Sequence, residues 1–225
     1  MLQRFAFILA LALGLATAVP AAAEECPDTV PESWKQTWRI FDVDPAVAES
    51  VVWPEMKRHS YWRDTLESAA NAVTYFPNGG GTDYSIGIFQ MKPSFVEKLE
   101  KAWHGSGFAD FYDLQFDISD SPAARNSRIE RMTTNEWQVI YLGMFIRMLY
   151  HSYRLEGLPM EDQVRLAANA YNRGCEWTPK GQGDIESLRV NIDARTFPRA
   201  ILISDVARQQ SYSVLAWKHY QAISE

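Results

Sequence analysis

Between residues 133 and 150 lies a run that almost any fold of this chain must be built around. Thr133-Thr134-Asn135-Glu136 has the pattern of a helix-starting capping box. It leads into Trp137, Val139, Ile140, Leu142, Phe145, Ile146, Leu149 and Tyr150. These residues leave no broad polar face, so the spacing predicts a helix buried on all sides at the centre of the molecule. Gln138 and Arg147, together with the late position of the run, argue against a membrane span.

Other helix signals surround this one. Asp44-Pro45 reads as an N-cap followed by proline at the first helical position, leading through Val47, Val51 and Val52 toward Glu55. Pro54 is expected to kink or interrupt that helix. Helices are also expected over 64–75, from Pro93 or Ser94 to Trp103, over 159–171 with Gly174 near the end, and over 204–223. Pro77-Asn78-Gly79-Gly80-Gly81 reads as a loop and a flexible flap, and residues 82–89 can hold a short extended piece. The expected class is all-α, mostly helical with at most a small β-hairpin.

The N-terminus predicts export. Arg4 precedes an apolar run over residues 5–19, Pro20 breaks it, and Ala21-Ala22-Ala23 offers a cleavage site. Residues 1–23 therefore read as a secretory signal and 24–225 as one domain, periplasmic or secreted. The run is short of the about 20 apolar residues a span requires, so no membrane anchor is expected after cleavage. Cys26 lies behind Glu24 and Glu25, which does not fit a lipoprotein signal. Cleavage would remove Arg4 alone among charged residues, leaving 21 basic and 28 acidic residues. With that balance and no Lys/Arg cluster, nucleic acid is not an expected partner.

Export also bears on the two cysteines, Cys26 and Cys175, 149 positions apart. An even count in an oxidising compartment favours a disulfide, with two separate buried thiols as the alternative. Closing so long a loop would stabilise the fold by up to about 5 kcal/mol on chain entropy.

Three segments carry the candidate chemistry. An apolar helix delivers a carboxyl in Val51-Val52-Trp53-Pro54-Glu55. Tyr84-Ser85 then leads into Gly87-Ile88-Phe89-Gln90-Met91-Lys92-Pro93, and later comes Ala170-Tyr171-Asn172-Arg173-Gly174. Over residues 45–174 this order resembles the lytic transglycosylase family of lysozyme-like fold, with its catalytic Glu, its Gly-x-x-Gln-x-x-Pro turn and its Ala-Tyr-Asn-x-Gly segment. The resemblance implies cleavage of the MurNAc–GlcNAc β-1,4 bond of peptidoglycan by one Glu acting as acid and then base, with 1,6-anhydro ends as product. It implies no cofactor and no metal.

On that resemblance Glu55 is the catalytic acid. Ser85 and Gln90 bond the N-acetyl group or the carboxylate, Tyr171 bonds the Glu or a sugar, and Asn172 fixes the loop or binds ligand. Structural roles stand beside these: Gln90 could cap the next helix, and Tyr171 could be a core residue with a satisfied hydroxyl. The chain departs from the family at Met56, where Ser is usual, and in the longer gap from Glu55 to Gln90. Glu67-Ser68 is a literal Glu-Ser pair and makes Glu67 the alternative acid. Glu55 is preferred because its apolar helix supplies the buried setting that keeps an acid protonated near neutral pH. No second carboxylate is obvious, with Asp64 and Asp83 left open as partners. A hydrolase on the same fold and an inactive glycan-binding or scaffold protein are the alternative functions. The histidines at 59, 104, 151 and 219 lack metal-ligand spacing, and no nucleophile elbow or phosphate-binding loop is present.

Overall fold

A computed structural model describes residues 30–58, 83–194 and 210–224. The signal at 1–23, Cys26, the expected helix at 64–75 with Glu67, and the glycine loop at 77–81 lie outside the described residues. In chain order the helices are α1 (Glu32–Ile40), α2 (Pro45–Arg58), α3 (Pro93–Gly105), α4 (Phe108–Phe111), α5 (Pro122–Met132) and α6 (Asn135–Tyr153). A 3-10 turn at Leu155–Gly157 follows, then α7 (Met160–Arg173), α8 (Ile185–Arg189) and α9 (Tyr212–Ser224). The fold is all-α. Among the described residues the extended structure is one isolated antiparallel bridge, Ile86 to Met91.

The capped apolar run is α6, and 13 of its 19 residues are buried. It starts one residue later than the capping-box spacing predicts. Thr134 is the N-cap, its hydroxyl accepting from the Trp137 N–H, while Thr133 closes α5. A cap at Thr133 would compete with that closing turn, in which the Thr133 N–H donates to the Ile129 carbonyl. Gly143 sits at mid-helix because a Cβ there would come within 2.5 Å of the Phe41 ring. The ring in turn packs edge-on against Trp103 at 5.8 Å. Apolar residues from every helix join one core around α6. Among the described residues no helix is long and apolar enough to cross a membrane.

A buried charge cluster ties α3, α5 and α6 together. Arg128 donates from Nε to Glu100 at 2.8 Å, and both side chains are fully buried. Arg131 and the Tyr141 hydroxyl donate to the other Glu100 oxygen at 2.8 and 2.6 Å. Burial, with the Glu100 carboxylate beside it, holds the Tyr141 phenol well above its usual range. This cluster explains how α5, whose sequence is mostly polar, becomes a packed helix. Ser121 caps it and Pro122 opens it, the signature also seen at Asp44-Pro45.

The helix that carries Glu55 does not stop at Pro54; it runs on to Arg58. A proline inside a helix removes one main-chain donor and crowds the preceding turn, loosening its carbonyls. At that turn the Tyr212 hydroxyl, from α9, donates to the Val51 carbonyl at 2.9 Å. Pro54 removes the donor that would reach the Ser50 carbonyl, and Tyr212 adds a tie at the neighbouring carbonyl of the same turn. One turn earlier His219 of α9 meets the buried Glu49 at 3.1 Å and stacks on Trp53 at 4.8 Å. Of the helix expected over 204–223, the structure describes only α9, and residues 195–209 lie outside the described residues.

Candidate active site

Glu55, Ser85, Gln90, Tyr171 and Asn172 come together along one cleft of about 400 Å³. Asp83, Lys92, Ser94, Phe95, Lys98, Arg173, Cys175 and Trp177 complete much of its wall. Three stretches far apart in sequence supply it: α2, the turn leading into α3, and the end of α7 with the loop beyond. Glu67 lies outside the described residues.

Glu55 is 8% exposed, and the residues before and after it on α2 are buried as well. Met56, the residue after Glu55, is a core residue at 2% exposure and brings no hydroxyl to the cleft. Asp83 has a different task. Its carboxylate accepts from the Ser94 N–H at 2.9 Å and the Ser94 hydroxyl at 2.6 Å, capping the start of α3. The helix cap considered for Gln90 is therefore made by Asp83.

Gln90 instead folds back on its own turn, donating from Nε2 to the Gly87 carbonyl at 2.8 Å. Ile86 and Met91 exchange both main-chain bonds, at 2.8 and 3.1 Å, around the four residues between them. Gly87 and Gln90 both have positive φ, 74° and 54°. Glycine takes that conformation without strain, whereas at Gln90 the side-chain bond to Gly87 helps hold it.

Tyr171 donates its hydroxyl to the Phe89 carbonyl at 2.7 Å, so its proton goes to the main chain and not to Glu55. Burial first, and the Glu55 charge second, push this phenol well above its usual range. Phe95 and Phe145 flank the ring at 5.7 and 5.5 Å. Asn172 follows at the wall, and Gly174, with φ 85°, ends α7 by donating its N–H to the Ala170 carbonyl at 2.8 Å. Asn169 of the same segment is buried and turned away, donating to Leu188 at 2.7 Å and Val190 at 3.1 Å. Among the described residues Cys175 has no disulfide partner, and burial pushes its thiol up to about 12, with Glu176 adding to the shift. Its expected partner, Cys26, lies outside the described residues.

Several cleft residues escaped the sequence reading. Trp177 packs edge-on against Phe145 at 5.8 Å and contributes an aromatic wall. Lys92, Lys98 and Arg173 are exposed cations around the opening. Gln138, behind the turn, is fully buried on α6. Its amide nitrogen donates to the carbonyls of Ile86 and Met132, and its oxygen accepts from the Phe89 N–H. A lone polar residue in an apolar helix was the available signal, because such a group is rarely buried without partners.

The cleft can deliver one buried carboxyl to a ligand lying against hydroxyl, amide and aromatic groups, with cations at its edge. Compared with protein-family models, with curated proteins and with solved structures, the chain matches none.

Proposed function

We propose that this chain is an exported peptidoglycan lytic transglycosylase of lysozyme-like fold, with Glu55 as its single acid and base. The reading is carried by the meeting of three motif segments at one cleft, with a buried carboxyl on its wall. Asp83, the other carboxylate among the described lining residues, already accepts from Ser94 with both oxygens. That favours one-carboxylate chemistry over the two carboxylates of most glycosidases. Lys92, Lys98 and Arg173 suit the carboxylates carried by muramic acid and its peptides better than a neutral glycan.

In this mechanism protonated Glu55 gives its proton to the glycosidic oxygen as the C1–O bond breaks. The acetamido oxygen of the same MurNAc supports the positive charge at C1. The Glu55 carboxylate then removes the proton of the C6 hydroxyl, whose oxygen bonds to C1. The leaving chain departs with a free hydroxyl and Glu55 ends protonated as it began.

Digestion of purified wall sacculi, followed by mass analysis of the fragments, tests this. Fragments ending in 1,6-anhydroMurNAc support it. Reducing ends, one water heavier, would indicate a hydrolase, and binding without fragments would indicate a glycan-binding protein.

A further inference from the structure

Gln138 does not line the cleft, yet the cleft turn rests on it. Both of its amide protons are used, on Ile86 at 2.8 Å and Met132 at 2.7 Å, and its oxygen accepts from Phe89 at 2.8 Å. The turn has moulded itself to this side chain. A Cβ on Gly87 would lie 1.4 Å from the Gln138 nitrogen, and the φ of Gly87 is +74°. Phe89 is consequently gripped from two sides, its N–H by Gln138 and its carbonyl by the Tyr171 hydroxyl. Those two side chains come from α6 and α7, so two helices fix where the turn sits while its own residues fix its shape.

We infer that Gln138 is a positioning residue: it fixes the Gly87–Gln90 turn on the central helix, and through Phe89 it sets the orientation of the Tyr171 hydroxyl beside Glu55. A residue that merely satisfied core main-chain groups would stabilise the fold and leave Tyr171 as it is. The activity readout below rests on the proposed wall-cutting function; the spectroscopic one does not.

The full chain is labelled with 13C at the tyrosine ζ carbon, whose shift reports the state of the phenol hydrogen bond. Tyr171 is assigned by the signal lost in Tyr171→Phe. In Gln138→Ala, held well below its melting midpoint, the Tyr171 signal should move. Turnover at saturating sacculi should fall about ten- to a hundredfold with the half-saturating concentration little changed, since small misplacements in a site cost rate more than binding. Gly87→Ala should do the same by driving the turn off the helix. Gly87→Ala combined with Gln138→Ala should cost less than the product of the two single losses, because both changes break the same contact. An unmoved Tyr171 signal in Gln138→Ala, or single losses that simply multiply in the double variant, would overturn the inference. Should Gln138→Ala fail to fold, Gln138→Glu, equal in size but without the two amide protons, is read in the same way. If the native chain cuts no sacculi, the proposed function fails while the Tyr171 signal still decides the role of Gln138.

Discussion

Tyr171 and Phe89 are joined by a hydroxyl-to-carbonyl hydrogen bond of 2.7 Å that spans 82 positions of sequence. Tyr171→Phe keeps the ring between Phe95 and Phe145 but strands the Phe89 carbonyl. Stability should drop by about 1–3 kcal/mol in urea unfolding. The phenol is held well above its usual range, so it stays protonated to beyond about pH 10. Any alkaline fall in activity below that pH should therefore keep its midpoint in Tyr171→Phe, and a pH–rate profile of both proteins checks this.

Glu55→Gln retains size and hydrogen-bonding shape and removes the proton. Lysis of sacculi should fall at least about a hundredfold, the lower end of what a placed general acid contributes. Glu67→Gln should cost less. Matched melting curves separate lost chemistry from lost fold. Normal lysis by Glu55→Gln alongside an inactive Glu67→Gln would move the assignment to Glu67. Two active variants would remove both.

Glu100 accepts from Arg128, Arg131 and Tyr141 at once. Glu100→Gln removes the carboxylate that Arg128 and Arg131 share, while Glu97 still meets Arg128 at 3.4 Å. Breaking such a pair from one side costs about 3–5 kcal/mol. Chemical unfolding should show a loss of that order, even though Glu100 is remote from the proposed reaction.

Cys175, with its thiol pushed to about 12, should be almost entirely protonated at neutral pH. In reduced, folded protein, alkylation should run at least about tenfold slower than in denaturant, because the thiolate is the reacting form. The proposed Cys26–Cys175 bond is tested separately, by denaturing exported protein without reductant and alkylating it. Two modified cysteines would rule the bond out.

The elements that read cleanly from sequence were those that announce themselves locally. The burial of α6 follows from its composition, and α2 and α7 follow from apolar spacing and end signals. Pro54 lies inside α2 without ending it, and a local rule for proline does not see Tyr212, which supports the same turn from another helix. No helix was expected over 122–132, although Ser121 caps one there and Pro122 opens it, and its polar sequence concealed that Arg128 is paired inside the core. The cleft residues within motifs could be named in advance. Gln138 could not, because what gives it a role is contact across 49 and 52 positions with Phe89 and Ile86.

The helix bearing Glu55 is completed from afar: Tyr212 reaches Val51 across 161 positions and His219 reaches Glu49 across 170. Contacts so distant form late, since a long loop must close before they can contribute. A chain emerging residue by residue would make α2 early but leave its proline-weakened turn unsupported until α9 arrives. The cleft would thus gain a firmly held acid among the last events of folding, and a polypeptide cut short before residue 212 would carry every motif residue while lacking the brace behind its acid.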